Sequence, residues 1–294
     1  MHKNISWKIY ESVTLIESKI DEPREVIEAR NKILTEFDGI KFVEEGHKYF
    51  LNGVQLPSVS EVVGQFSVPF DTEAQAERYA SKHGKTADYW KDNWRYKALK
   101  ATTTGTLVHA YGESLGWLRN GHPELITPDN QCKYIPDKNW LIPTRKKEEA
   151  ILKFYDELNE NLHFVLAETQ VYSNKGEASM VNRQFCGTFD LLMWYDCKED
   201  PSKSGLVIMD YKTNASLTND FARSMNKMML SPFEGIYDES LGHYQIQLSL
   251  YAMCLRGIGF DVKGLRLIWL QEDGEYELIP LKDLSREQWF KEAF

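Results

Sequence analysis

Two carboxylates and a lysine interrupt apolar, strand-like stretches in the middle of the chain. Asp190 stands in the run QFCGTFDLLMWY, and Asp210 and Lys212 end the run LVIMDYK. A polar turn joins the two runs, so a hairpin is predicted, and on an extended strand Asp210 and Lys212 point to the same face. Buried carboxylates are costly without a partner, and oxygen-rich sites suit Mg²⁺ or Mn²⁺. The spacing therefore predicts a divalent-cation site with a lysine beside it.

The alternative for these three residues is a buried ion-pair cluster without a chemical role. We favour the cation site because an apolar strand rarely carries such groups without a use. The protonation state of Lys212 stays open at this stage, because burial lowers its pKa and the neighbouring acids raise it.

The surrounding pattern predicts the elements that position this site. Residues 163–173, 184–195 and 206–214 alternate or run apolar between turn signals, which indicates an antiparallel meander of three strands. An apolar helix is predicted over 241–257, followed by a closing hairpin around Glu272-Asp273-Gly274 and a capped helix at the end of the chain.

The first half of the chain is predicted to be mainly helical. Residues 5–38 indicate one or two amphipathic helices, and residues 41–56 indicate a hairpin with its turn at Asn52-Gly53. Ser58 or Ser60 is expected to cap the helix that follows. Further expectations are helices over 71–101 and 146–161, a break at 102–106, a new helix from there to about 121, and an irregular insertion over 120–145.

Four short motifs in order resemble those of the PD-(D/E)XK nuclease superfamily, in its RecB-like branch. Gly187–Asp190 and Asp210–Lys212 resemble the acidic and lysine-bearing strands, Gly105–His109 resembles the GTxxH motif, and Gln247–Tyr251 resembles the QxxxY helix motif. The N-terminal hairpin and the Trp-bearing helix are similar to those of phage-type exonucleases and the mitochondrial genome maintenance exonuclease. The resemblance covers roughly residues 45–282.

The resemblance implies a role for each matched residue. Lys212 is implied as the catalytic lysine, and Gln247 and Tyr251 are implied to face the site and the DNA. Glu168 is implied as an additional acid or a supporting group, and Glu113 as a partner of the histidine. The implied metal ligands are His109, Asp190, Asp210 and the Tyr211 carbonyl oxygen.

Each of these residues taken alone has an ordinary structural explanation. A single histidine on an amphipathic helix, such as His109, is usually satisfied by neighbouring protein groups. Gln247 and Tyr251 alone would form an ordinary helix face, and Glu168 alone would be exposed or in a salt bridge. It is the four motifs in order that favour the functional interpretation.

A basic and aromatic stretch over residues 71–101 precedes the GTxxH motif. Basic grooves with stacking aromatic side chains bind single-stranded nucleic acid. The alternative is a solvated helix face with a few aromatic residues in the core. Beside a nuclease site, we expect this stretch to bind DNA through Lys91, Trp94, Arg95 and Lys97.

Composition sets further limits. The 294 residues carry a formal net charge of −9, which argues against a uniformly basic nucleic-acid coat but allows local basic patches. The four cysteines are scattered without a CxxC pair, so no iron–sulfur cluster, zinc site or disulfide framework is expected. No phosphate-binding loop motif, leader segment or membrane span is found. We therefore expect an intracellular, cytoplasmic protein without a nucleotide cofactor, and the resemblance to phage-type exonucleases implies a bacterial or phage-encoded one.

The sequence thus predicts an α/β fold. A mixed central sheet, made of the antiparallel meander and a further strand, would be flanked by helices in a restriction-endonuclease-like core. Residues 1–100 would form a helical and hairpin extension lining part of the substrate channel, and residues 101–294 the nuclease core.

The expected function is metal-dependent DNA hydrolysis. An exonuclease acting on single strands or ends in replication, recombination or repair is preferred, and a structure- or sequence-specific endonuclease is the alternative. An alternative of another class is a non-catalytic DNA-binding assembly subunit with a nuclease fold. A helicase, recombinase or replication protein is the expected kind of partner, and the oligomeric state stays open.

Overall fold

The computed structural model describes residues 22–43, 46, 48–126, 141–173 and 184–294. The predicted helix before residue 22, the turn at 174–176 and most of the 120–145 insertion lie outside these residues. Within them, no helix is long and apolar enough to cross a membrane.

The centre of the fold is a five-stranded mixed sheet whose strands lie side by side in chain order. The strands are β4 (Leu162–Tyr172), β5 (Cys186–Tyr195), β6 (Gly205–Lys212), β7 (Val262–Leu270) and β8 (Tyr276–Leu281). Strands β4 to β6 form the predicted antiparallel meander, β6 pairs with β7 in parallel, and β7 and β8 form the closing hairpin. The α/β class with a mixed sheet flanked by helices is therefore confirmed.

Three α-helices follow the meander in the chain. The segment after β6 contains one short helix, α6 (Asp220–Ser224). The apolar helix α7 (Ser240–Gly257) then connects β6 to its parallel neighbour β7, as the pattern over 241–257 predicted. The last helix is α8 (Gln288–Ala293), which confirms a terminal helix, but the predicted cap is wrong because no side chain caps its first turn.

The N-terminal part contributes a helix and a second, smaller sheet. Helix α1 (Arg24–Glu36) precedes three antiparallel strands, β1 (Ile40–Val43), β2 (Lys48–Leu51) and β3 (Val54–Leu56). Asn52 and Gly53 both have positive φ angles and form the predicted turn between β2 and β3. The amide of Cys186 donates to the carbonyl of Pro57 over 2.9 Å, so the end of this sheet is joined to β5.

Helix α2 (Val59–Gly64) begins at the predicted cap. The Ser58 hydroxyl accepts from the Glu61 amide at 3.1 Å, and the Glu61 carboxylate accepts from the Ser58 amide at 2.6 Å. This reciprocal pair satisfies two amides that the first helical turn leaves without partners.

The predicted helix break at 102–106 is wrong. Helix α4 runs without interruption from Ala87 to Arg119, after the shorter α3 (Thr72–His83). Threonine and glycine each cost a helix only about 1 kcal/mol or less relative to alanine, which packing of the later turns overcomes. The Thr106 hydroxyl also donates to the Thr102 carbonyl at 3.1 Å, inside the helix.

Helix α3 and residues 87–103 of α4 form a helical arm. In α3 only Ala76 is buried, and in α4 the first buried residue is Thr104. The later part of α4 packs against the sheet and against α5 (Leu141–Asp156), which starts and ends about five residues earlier than the predicted 146–161. The arm is thus the least buried part of the helical layer.

Candidate metal centre

Strand pairing brings three acids to one end of the meander. The pairs Ala167–Leu191 and Thr169–Phe189 flank Glu168 and Asp190, which places these two acids opposite each other on β4 and β5. The pair Leu191–Met209 continues this register to β6 and sets Asp210 beside Asp190. Side chains directly opposite in antiparallel strands lie about 5 Å apart, so the register itself assembles the acids.

His109 reaches the same place from helix α4. Its Nδ1 lies 3.4 Å from Asp190 Oδ2 and 3.6 Å from Glu168 Oε1. One ligand atom from each of His109, Glu168 and Asp190 lies within 4.8 Å of the others. Three potential ligands from three separate elements therefore converge on one small volume.

The backbone of Tyr211 links the histidine to the strands. Its amide donates to Asp190 Oδ2 at 2.8 Å, and His109 Nε2 lies 3.1 Å from its carbonyl oxygen. The ring of Tyr211 packs under helix α4, where a Cβ added at Gly112 would lie 2.7 Å from ring atom Cε2. Glycine at position 112 thus lets the helix approach the strand closely enough for His109 to reach the acids.

Glu168 is the acid whose position sequence reasoning left open. It is a non-glycine residue with φ of +44° in the middle of a strand. Such a conformation costs on the order of 1–3 kcal/mol and is concentrated at functional sites. Its Oε1 is buried and has no hydrogen-bond partner among the described residues. The only signal in the sequence is an acid within the apolar run HFVLAETQVY.

Asp210 and Lys212 form a contact pair beside the cluster. The ammonium Nζ of Lys212 contacts Asp210 Oδ2, and the two side chains are 12% and 1% exposed. Asp210 Oδ1 is buried without a hydrogen-bond partner among the described residues. An oxygen atom so placed is available to a cation, although Asp210 is outside the tight group of His109, Glu168 and Asp190.

Burial and mutual repulsion separate the pKa values of the acids. Burial, and then the charge of Asp190, raise the pKa of Asp210 to about 6. Burial would also raise the pKa of Asp190, but His109 and Lys212 more than offset it and the pKa is lowered. Burial raises the pKa of Glu168 against the opposing effect of His109. Asp190 is therefore the most firmly ionised of the three carboxylates.

The two cationic groups are held in their charged forms. Burial alone would lower the pKa of His109, but Asp190 and Glu168 raise it well above its usual value. Burial also opposes the charge of Lys212, yet Asp210 and Asp190 raise its pKa. Without a bound cation, His109 therefore carries both ring protons, and Nε2 donates to the Tyr211 carbonyl.

The donor set fits a hard divalent cation. It offers carboxylate oxygens, the Tyr211 carbonyl oxygen and one imidazole. Glu168 Oε1 and Asp210 Oδ1 have neither a hydrogen-bond partner nor a contact with Lys212 among the described residues. Carboxylate and carbonyl oxygens suit Mg²⁺ and Mn²⁺, whereas an imidazole ligand also suits Zn²⁺ and other transition metals, so the donor set does not select one ion. His109, Glu168, Asp190 and Asp210 are the residues that would hold such an ion.

Gln247 and Tyr251, the two residues of α7 that were expected to face DNA, pack against the protein interior. Tyr251 is only 2% exposed, contrary to its expected place on a DNA-facing surface. A Cβ added at Gly187 would lie 2.6 Å from Tyr251 Cε1, so the tyrosine ring fills the space that this glycine leaves. Half-buried Gln247 donates to the Tyr251 hydroxyl at 3.1 Å. In this protein the pair supports the strand that carries Asp190.

Glu113 lies one helical turn beyond His109 and is 3% exposed. The described contacts of His109 go to Glu168, Asp190 and Tyr211. The expected partnership between Glu113 and His109 therefore stays a prediction.

The expected DNA-binding residues lie on the helical arm, but they are not equivalent. Lys91 pairs with Glu73 at 3.0 Å and with Asp88 at 2.9 Å, whereas Arg95 pairs with Asp92 at 2.9 Å. Trp94 is half-buried, and its ring lies 5.3 Å from that of Tyr79 and 5.9 Å from that of Phe70, within the aromatic core of the arm. Lys97 is exposed and makes no ion pair with another described residue.

Comparisons with known proteins add no relative. No model of a known protein family matches the chain, and no curated protein matches it significantly. The function must therefore be argued from the geometry of the site.

Proposed function

We propose that the chain is a Mg²⁺- or Mn²⁺-dependent deoxyribonuclease of the PD-(D/E)XK type. The observation that carries the proposal is the convergence of His109, Glu168 and Asp190 within 4.8 Å, beside the buried pair of Asp210 and Lys212. Two acids on neighbouring strands with a lysine two residues after one of them are the arrangement that this chemistry requires.

Each residue of the site has a distinct part in the proposed reaction. A bound divalent cation supplies a water nucleophile at neutral pH and offsets the charge of the reacting phosphate. Asp190, already ionised and fixed by the Tyr211 amide, is a preformed ligand. Lys212 keeps its proton and would hold a phosphate oxygen or the attacking water by hydrogen bonding.

DNA is the proposed substrate because basic side chains of the arm lie on α4, the same helix that carries His109. Lys97 lies twelve residues before His109 on α4, which is roughly 18 Å along the helix axis. Exposed Tyr96 and Tyr89 lie on the same stretch and are 52% and 47% exposed. Cations with exposed aromatic rings suit a single strand, whose phosphates and bases both lie open. We therefore propose action on single strands or DNA ends.

The decisive experiment measures cleavage of end-labelled and circular DNA, single- and double-stranded, with Mg²⁺, Mn²⁺ or EDTA. We expect metal-dependent shortening of linear strands, and a loss of about 100-fold or more in rate for Asp190→Asn, Asp210→Asn and Lys212→Ala. Persistent full cleavage by Lys212→Ala would refute the site assignment. Cutting of closed circles would favour the endonuclease alternative.

A matched control lies on the turn between β5 and β6. Asp200 and Lys203 form an exposed ion pair at 3.4 Å, outside the site. The variants Asp200→Asn and Lys203→Ala remove the same chemical groups and should keep the wild-type rate. If the wild-type protein binds DNA but cleaves none under any metal condition, the non-catalytic DNA-binding alternative replaces the proposal.

A further inference from the structure

Tyr244 covers the ammonium group of Lys212 from helix α7. The Nζ of Lys212 lies 4.1 Å from the centre of the Tyr244 ring, within the range of a cation–π contact. Tyr244 stands three residues before Gln247 and seven before Tyr251, so all three share one face of the helix. On that face, Tyr251 packs against Gly187 of β5, and Tyr244 contacts Lys212 of β6.

The ring of Tyr244 is fixed at its far end. Its hydroxyl donates to Asn214 Oδ1 at 2.9 Å. Asn214 is itself held, because its backbone carbonyl accepts from Trp269 Nε1 at 2.7 Å. The tyrosine therefore presents its ring face from a supported position and does not depend on Lys212 for its orientation.

We propose that Tyr244 is a positioning residue that keeps the Lys212 ammonium group at the site when a cation and DNA occupy it. The proposal rests on the nuclease function proposed above. In the structure, Lys212 has two anchors, the Asp210 carboxylate and the Tyr244 ring. A divalent cation bound at Asp210 Oδ1 would draw negative charge away from the Oδ2 atom that Lys212 contacts, and so would weaken the first anchor. The ring is uncharged and is not a cation ligand, so the second anchor remains.

The test compares Tyr244→Phe, which keeps the ring, with Tyr244→Leu, which removes it. A cation–π contact between the exposed and the desolvated limits corresponds to a factor of roughly ten. We expect kcat to fall about tenfold in Tyr244→Leu, with an unchanged KM for DNA and an unchanged Mn²⁺ affinity. Tyr244→Phe should keep most of the rate, because it loses only the bond to Asn214.

A second measurement does not depend on cleavage. In protein labelled with ¹³C at the lysine ε-carbon, the ε-CH₂ protons of Lys212 should be shifted upfield by the ring, with and without Mg²⁺. The signal is assigned by its disappearance in Lys212→Arg. The shift should persist in Tyr244→Phe and vanish in Tyr244→Leu.

The control variant is Phe260→Leu, which removes a cation–π contact of 5.0 Å to Lys32, away from the site. It should change neither kcat nor the Lys212 signal. A wild type that cleaves no DNA refutes the proposed function and, with it, the reason for positioning Lys212. In an active nuclease, two results would overturn the positioning role. One is an equal loss of rate in Tyr244→Phe and Tyr244→Leu, and the other is a Lys212 signal that neither substitution changes.

Discussion

Gly187 and Tyr251 belong to two motifs 64 residues apart, and the structure makes them one packing pair. Gly187 has no positive φ, so its backbone conformation does not require glycine. What requires it is space, because an added Cβ would lie 2.6 Å from Tyr251 Cε1 and 2.9 Å from Val59 Cγ2. Gly187→Ala should therefore destabilise the protein through overpacking, by about 1–3 kcal/mol.

A double-mutant cycle separates this contact from other effects of the methyl group. Tyr251→Leu should itself cost about 2–4 kcal/mol, because it shortens a buried ring and leaves a cavity. In the Tyr251→Leu background, the added methyl group meets less crowding and fills part of that cavity. The cost of Gly187→Ala should fall there by about 1 kcal/mol or more, the remainder coming from Val59.

The assay is urea unfolding of the four proteins, followed by circular dichroism and tryptophan fluorescence. A constant m-value shows that the changes lie in stability and not in the size of the unfolded state. An equal cost of Gly187→Ala in both backgrounds would refute the packing explanation. So would a cost below about 0.5 kcal/mol in the wild-type background, which is the range of ordinary surface substitutions.

Three further predictions concern protons and DNA. Asp210 has a pKa of about 6 and His109 has a raised pKa, so both must lose a proton to bind a cation. The affinity for the cation should therefore rise about tenfold per pH unit for each proton released. Mn²⁺ titration calorimetry from pH 5 to 7 measures this affinity, and an affinity that does not change with pH would contradict the prediction. In the cation-free protein, the raised pKa of Asp210 makes stability fall as pH rises from about 4 to 6, because the folded state holds that proton longer. Lys97→Ala should lower the slope of log K against log [salt] for single-strand binding by about 0.7, whereas Lys203→Ala should not. Fluorescence anisotropy at several salt concentrations measures the slopes.

The sequence predicted most of the sheet and the neighbouring positions of Asp190 and Asp210. The meander follows from apolar runs between turn residues, and strand register then placed Asp190 beside Asp210 as expected. The role of Glu168 could not be assigned from the sequence. Its position depends on its own left-handed backbone conformation inside a strand, and no glycine or asparagine at that position indicates such a conformation. The burial of Tyr251 was also hidden, since α7 is apolar on most sides and its periodicity does not reveal which face meets the sheet.

The continuity of α4 changes how the arm relates to the cation site. A break at 102–106 would have given the arm a hinge and allowed it to swing independently of His109. The uninterrupted helix instead fixes the arm cations at set distances from the histidine, about 1.5 Å for each residue between them. The Tyr211 ring packs against Gly112, which has no side chain, and this contact fixes the distance between the same helix and β6. Under the proposed function, a DNA strand bound by Lys97 would therefore reach the acids at a constant separation and be cut at a defined distance from that lysine.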